Sequence, residues 1–166
     1  LIASNCINNA ITDANITRKE ICCISVCAQG SGFYAVDSDG KNIRNAITSS
    51  DRRAQAIADH WRENGISEKV YKEIYRYPLS GHLSTILRWL KENEPENYRR
   101  IRYLFSMRDF LVFKMTGIAV AGSDCASVSG LLNLNSLKFD PAVADVLGIG
   151  EMSDKFGKLT WDTEIC

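Results

Sequence analysis

The stretch at residues 24–37 constrains this chain more than any other. Two apolar runs, at 24–27 and 33–36, flank the small polar loop Ala28-Gln29-Gly30-Ser31-Gly32. Ile, Val and Cys before the loop and Phe, Tyr and Val after it suit adjacent buried strands, because β-branched and aromatic side chains pack well on a pleated surface. The loop is too rich in glycine to be core. Gly30 and Gly32 let the backbone reach positive φ or let another group come close. The stretch reads either as an ordinary hairpin turn or as two strands that present Gln29 and Ser31 on a ligand floor.

The chain has 166 residues, room for one domain with a proper core. An apolar share of 45% and a charged share of 24% are those of a soluble globular protein. The formal net charge is zero, which gives no sign of a nucleic-acid or polyanion partner. The basic run Tyr98-Arg99-Arg100-Ile101-Arg102 reads as a solvated helix end. Six cysteines occur without a CxxC, and the two histidines are far apart, which argues against a zinc site; no metal ligands are expected on this chain. Cys22, Cys23 and Cys27 read as small core hydrophobes in or beside a strand. Without a secretory leader or disulfide-like spacing, a cytoplasmic location is expected. No apolar run approaches the ~18 residues of a membrane span. Leu1 opens the chain inside an apparent helix and Cys166 closes it on an apolar Glu-Ile-Cys, so a piece of a longer protein is expected.

Periodicity supplies the rest of the frame. Residues 1–14 carry apolar side chains at helical spacing, 16–20 form a polar connector, and 21–27 form a strand. After the loop come a strand at 33–36, the turn Asp37-Ser38-Asp39-Gly40-Lys41, and an extended return at 42–47. The run Thr48-Ser49-Ser50-Asp51 signals a helix start, with Asp51 either the N-cap or a ligand group beside it. Arg52 and Arg53 are out of place there, since cations oppose the helix dipole at its N-terminus. Gly65 stops this helix and Ser67 caps the next. Leu83, Ile86, Leu87 and Leu90 then give an i, i+3, i+4, i+7 stripe. Pro95 opens a short helix, and 101–105 form a short strand. Residues 106–115 read as a mostly buried helix ending at Gly117, with Asp109 in need of a partner. A small-residue loop at 119–123, a short helix at 123–130, an extended piece at 131–134 and a helix opened by Asp140-Pro141 complete the order. The pattern predicts an α/β chain, a mixed β-sheet flanked by helices.

Taken together, the punctuation points form a recognisable series. They are Ala28-Gln29-Gly30-Ser31-Gly32, Asp39-Gly40-Lys41, Asn45-Ala46-Ile47 with Ser50-Asp51-Arg52-Arg53, Leu87-Arg88-Trp89-Leu90-Lys91-Glu92-Asn93-Glu94-Pro95, Arg108-Asp109-Phe110-Leu111 with Met115-Thr116-Gly117, Ser123-Asp124-Cys125-Ala126-Ser127, and Leu147-Gly148-Ile149. In this order they resemble the first domain of the FGGY family of carbohydrate kinases, across essentially the whole chain. The resemblance implies a partial actin-like, ribonuclease-H-like domain. It also implies ATP-dependent, Mg²⁺-assisted phosphorylation of a small sugar. The serine-rich run before Asp51 and the Trp89 helix look most like members acting on L-xylulose. D-xylulose, ribulose, glycerol and erythritol stay open as substrates, as does a non-catalytic sugar-binding module of the same fold. On this resemblance, residues 1–166 are part of the N-terminal sugar-binding domain. The phosphate-loop strands, the ATP-binding domain with most of the ATP and Mg²⁺ contacts, and the catalytic base lie outside the chain. Sugar and ATP are the expected partners, no membrane or nucleic acid is expected, and a homodimer is an expectation for the full-length protein.

The resemblance also nominates sugar contacts: Gln29, Gly30 and Ser31 in the loop, Asp51 and Arg52 at the helix entry, and His82 in the segment 78–82. Relatives often carry Arg-Glu or Met-His at the positions of Gly30 and Ser31, and a Trp where Ser49 stands. Both departures open the pocket. Asp51 keeps its rival role as a cap, and His82 its rival role as a structural histidine. No catalytic residue is expected on this chain.

Overall fold

A computed structural model describes residues 2–161, 163 and 164; the readings at Leu1 and Cys166 lie outside them. In chain order the elements are α1 (Ile2–Asp13), β1 (Tyr34–Val36), α2 (Gln55–Glu63), α3 (Ile66–Ile74), α4 (Leu83–Asn93), α5 (Pro95–Arg99), β2 (Tyr103–Phe105), α6 (Met107–Thr116), β3 (Val120–Gly122), α7 (Ser123–Ser127), β4 (Leu132–Asn133), β5 (Lys138–Phe139), α8 (Pro141–Val146) and β6 (Lys158–Thr160), with 3₁₀ turns at Arg18–Glu20 and Gly150–Met152.

The strands pair in short ladders of both senses, as a mixed α/β architecture requires. β1 runs antiparallel to β2, with Tyr34 opposite Phe105 and Val36 opposite Tyr103. On the other side of β1 the return segment pairs through Phe33 with Ile47 and Val36 with Asn42. The intervening turn forms as its sequence dictates: Asp37 Oδ1 accepts from the backbone N–H groups of Asp39 and Lys41, each at 3.0 Å. A parallel bridge from Leu104 to Phe156 leads toward β6, which pairs parallel with β3. β4 and β5 make a small antiparallel hairpin.

The core is organised on α4. Its predicted stripe is real: Leu83, Ile86, Leu87 and Leu90 are all buried, in one cluster with Trp61, Val70, Ile74, Leu104, Leu131 and Leu147. Each such side chain contributes about 1.5–3 kcal/mol by leaving water. Trp89 flanks the cluster, half-buried, and receives the Arg53 guanidinium over its ring at 4.9 Å.

Several expectations need correction. Residues 21–27 form no strand. They run without regular structure, Ile24 is 53% exposed, and Cys22, Cys23 and Cys27 are exposed rather than core. Strand pairing needs a neighbour with free backbone groups, and β1 has both edges filled, by β2 and by the return segment. α1 is helical as its spacing predicts, yet none of its residues is buried. The helix at 106–115 is not mostly buried. Only Asp109 is, and Met115 is 43% exposed. One face lies on β2, where Phe113 stacks on Phe105 with ring centroids 5.0 Å apart, and the other faces out. The small-residue loop at 119–123 contains β3, three buried residues too short to show a period. The α2 N-cap is Ala54, not Asp51, and α3 starts from Gly65 with Ser67 buried in its first turn. Ser106 and Asp140 cap α6 and α8 with side-chain acceptors, and Pro141 opens α8. Among the described residues, no helix is long and apolar enough to cross a membrane.

Candidate functional site: a groove between three loops

Three loops converge beside the N-terminus of α4. They are the glycine loop at 29–32, the serine-rich segment before α2, and the turn between α3 and α4. Backbone contacts lock them together. The Gly32 N–H donates to the Gly81 carbonyl at 3.2 Å. A Cβ added at Gly81 would sit 1.7 Å from the Ser49 carbonyl oxygen, so only glycine lets these two strands of chain touch. Gly32 itself has φ +86, and a Cβ there would lie 2.8 Å from the Ile47 oxygen.

Between the loops lies an open groove of ≈ 580 Å³, lined by Gly30, Ser31, Ser49, Ser50, Arg52, Arg76, Leu79, Ser80, Gly81, His82 and Val128. The structure therefore brings Gly30, Ser31, Arg52 and His82 together. Gln29 and Asp51 stand beside this set rather than in the groove wall. Gln29 is exposed and its Nε2 donates to the Tyr34 hydroxyl at 3.3 Å. Asp51 accepts from the Arg53 backbone N–H at 2.9 Å and from the Arg53 guanidinium at both carboxylate oxygens. The hydrogen bonds from the Arg53 side chain, opposed by partial burial, hold its carboxyl below the usual carboxylate range.

Each groove residue is set by local chemistry. Ser31 adopts φ +62, a left-handed conformation that disfavours residues with a Cβ by about 1–2 kcal/mol. Its hydroxyl donates to the Val128 carbonyl at 3.0 Å, which offsets part of that cost. His82 precedes α4 and is 8% exposed. Its Nδ1 accepts from the Leu79 backbone N–H at 3.1 Å, so the neutral ring carries its proton on Nε2. Burial, with the nearby Arg76 charge adding to it, pushes its pKa down to about 4. At neutral pH the histidine is an uncharged donor. Thr85 pins the turn that carries it, its hydroxyl lying 2.6 Å from the Leu79 oxygen and 2.9 Å from the His82 oxygen. Arg52 donates from Nη2 to the neutral Gln55 Oε1 at 3.2 Å.

The sequence reading missed Arg76. It falls just after α3, where a cation near a helix C-terminus is explained by the dipole alone, so nothing local marks it as a site residue. Only the fold carries it next to His82. Away from the groove, a second polar cluster fastens α6 to β3. Arg108 bridges Asp124 at 2.7 Å and Asp109 at 3.3 Å, Ser106 Oγ donates to Asp109 Oδ2 at 2.9 Å, and the Gly122 N–H donates to Asp109 Oδ1 at 3.3 Å. Burial raises the Asp109 pKa against these donors. Among the described residues, no three His, Cys, Asp or Glu side chains assemble as a metal-holding group.

The fold is that of a carbohydrate-kinase domain, and the chain belongs to the FGGY family of carbohydrate kinases, whose N-terminal domain matches residues 2–166. It is 36% identical over 156 residues to the L-xylulose/3-keto-L-gulonate kinase of Escherichia coli, covering 94% of this chain and 31% of that protein. It is 36% identical over 148 residues to a probable L-xylulose kinase of Pasteurella multocida, covering 89% of this chain and 31% of that protein. The chain thus spans under a third of the length of these curated relatives. Among solved structures, it resembles a ligand-bound xylulose kinase from Lactobacillus acidophilus with a TM-score of 0.80 at 23% identity, covering 90% of this chain and 30% of that one. It also resembles a glycerol kinase from Plasmodium falciparum with a TM-score of 0.78 at 21% identity, covering 93% of this chain and 31% of that one. These two likenesses show the fold.

Proposed function

We propose that this chain is part of the sugar-binding half of an enzyme that transfers the γ-phosphoryl group of ATP to a hydroxyl of a small sugar, with L-xylulose or a related ketopentose as acceptor. The observation that carries the reading is the 36% identity over 94% of the chain to a relative named for L-xylulose. The groove suits a polyol. The Ser31 oxygen and the surrounding loop carbonyls accept, the His82 Nε2–H and Arg52 donate, and the Leu79 side chain offers an apolar wall. Small residues at Gly30, Ser31 and Ser49 leave the floor open. Gln29 and Asp51 hold the loops from just outside. Phosphoryl transfer depends on positioning and charge stabilisation, and this chain supplies positioning. The nucleotide, its Mg²⁺ and the carboxylate that takes the hydroxyl proton are assigned to the remainder of the enzyme, in the cytoplasm and as a homodimer.

The test is a substrate panel. The full-length protein containing this chain is assayed with ATP and Mg²⁺ against L-xylulose, D-xylulose, ribulose, glycerol and erythritol. L-Xylulose is expected to give the highest kcat/KM. Phosphorylation of glycerol with L-xylulose ignored would overturn the substrate, and no ATP-dependent turnover of any sugar would overturn the kinase reading. The 166-residue chain by itself is expected to show no turnover.

A further inference from the structure

A second pocket, of ≈ 490 Å³, opens at the C-terminal end of α4, about 15 Å along that helix from the three-loop groove. Its floor is apolar, made of Pro95 at the start of α5 with Ile101 and Met152 of the core cluster. Tyr98, on α5, stands in the same wall and is 4% exposed. Its hydroxyl is buried and has no hydrogen-bond partner among the described residues. Glu151 comes within electrostatic reach of it without meeting hydrogen-bond geometry, and is itself taken by Lys91 at 2.7 Å. Burial, with the Glu151 charge adding to it, pushes the Tyr98 pKa up, so the phenol keeps its proton to donate. A buried hydroxyl with nothing to donate to is costly in a folded protein and calls for an explanation.

The charges around this hydroxyl are unbalanced. Lys91, Arg99 and Lys155 line the pocket, against the single carboxylate of Glu151. Lys91 Nζ also donates to the Gly148 carbonyl at 2.9 Å and lies 5.8 Å from the Tyr98 ring centroid, so it is fixed in place with one N–H still to give. Arg99 and Lys155 reach Glu96 and Asp154, which are largely exposed and outside the lining, and pairs of that kind hold their cations weakly. We infer that this pocket binds a phosphate monoester with a flat apolar body, Tyr98 and Lys155 donating to the phosphate oxygens and Lys91 and Arg99 adding charge. A phosphate monoester brings three acceptor oxygens and close to two negative charges, which matches the donor set. Lysine suits phosphate as a point charge, where no rigid fork is needed. The apolar body covers Pro95, Ile101 and Met152, and the pocket is in the size range of small-ligand sites. Nucleoside monophosphates have this chemistry. The site is separate from the sugar groove and does not depend on which sugar that groove takes.

Calorimetry on the full-length protein, without sugar or ATP, compares phenyl phosphate and AMP with inorganic phosphate, phenol and adenosine. At least one of the two esters is expected to bind about 10-fold more tightly than inorganic phosphate and than its own dephosphorylated body. Tyr98→Phe and Lys155→Gln are each expected to weaken that binding about 10-fold, the scale of one charge-assisted hydrogen bond. Without ligand, Tyr98→Phe is expected to melt no lower than the wild type, because it removes a hydroxyl that had no partner. Esters that bind no tighter than inorganic phosphate would overturn the inference. Ester binding that survives both substitutions would do so too, placing the ligand in the ATP site of the remainder of the enzyme. A Tyr98→Phe variant that melts markedly lower without ligand would also overturn it, since the hydroxyl would then be bonded already within the protein. Ester binding that needs Tyr98 and Lys155, in a protein that phosphorylates no sugar, would uphold the inference and count only against the kinase reading.

Discussion

Arg53 grips Asp51 with both ends of its guanidinium, Nε to Oδ1 at 2.9 Å and Nη2 to Oδ2 at 2.9 Å. The pair explains why Arg53 stands at the unfavourable end of a helix. Arg53 is held by a carboxylate two residues away and rests on Trp89, so it ties the groove's serine-rich rim to α4.

The first prediction concerns this pair. Asp51→Asn is expected to lower stability at pH 7 by about 1–2 kcal/mol, the scale of a partly exposed charge-assisted pair. The folded carboxyl is held low, chiefly by the Arg53 hydrogen bonds. Its contribution is therefore present above the ordinary carboxylate range and is lost as pH falls through the lowered folded value. Urea midpoints of wild type and variant should differ at pH 7 and converge in acid. A tenfold rise in sugar KM at unchanged stability would instead return Asp51 to direct sugar contact.

His82 should make the protein acid-sensitive above the carboxylate range. Its folded pKa is about 4, against roughly 6.5 for an unfolded histidine. Between these values the unfolded chain binds more protons, so stability falls as pH drops through that window, by on the order of 3 kcal/mol at most. Denaturant titrations at half-unit pH steps read the slope. His82→Gln should flatten it, and an unchanged slope would mean the ring is not buried neutral.

Two neighbouring glycines should respond oppositely to a methyl group. Gly81→Ala drives a Cβ into the Ser49 carbonyl, at 1.7 Å, and should cost about 3 kcal/mol or more because neither backbone can yield. Gly30→Ala meets only the Val128 Cγ2, at 3.2 Å, and should stay within about 1 kcal/mol of wild type. Thermal melts of the two variants check the contrast.

Thiol labelling tests the unpaired segment. Cys6, Cys22, Cys23 and Cys27 are exposed, while Cys125 is buried. Burial also pushes the Cys125 thiol up to about 11, which removes nearly all thiolate at neutral pH. Native-state alkylation followed by peptide mapping should mark the first four quickly and Cys125 slowly. Slow labelling of Cys22, Cys23 and Cys27 would show that residues 21–27 are covered.

What the sequence disclosed and what it hid divide along physical lines. The α4 stripe, the Asp37 turn, and the Asp140-Pro141 helix start are local, since each depends on side chains within a turn or two of one another. The 21–27 segment misled because its composition is that of a strand while strand formation depends on a partner. β3 stayed hidden because its parallel mate, β6, lies far along the chain. The groove was half visible. Gly30, Ser31, Arg52 and His82 could be nominated from the series of motifs, whereas Arg76 acquires its meaning only when the α3–α4 turn folds back beside the glycine loop.

The main-chain contact of Gly81 with Ser49, and of Gly32 with Gly81, has a consequence for how such a protein changes over time. The spacing of the three loops is set by peptide groups, so the side chains at Ser31, Ser49, Ser50 and Arg76 can be exchanged without moving the frame that holds them. One frame can thus carry different rim side chains through single substitutions, while the glycines that fasten it stay fixed.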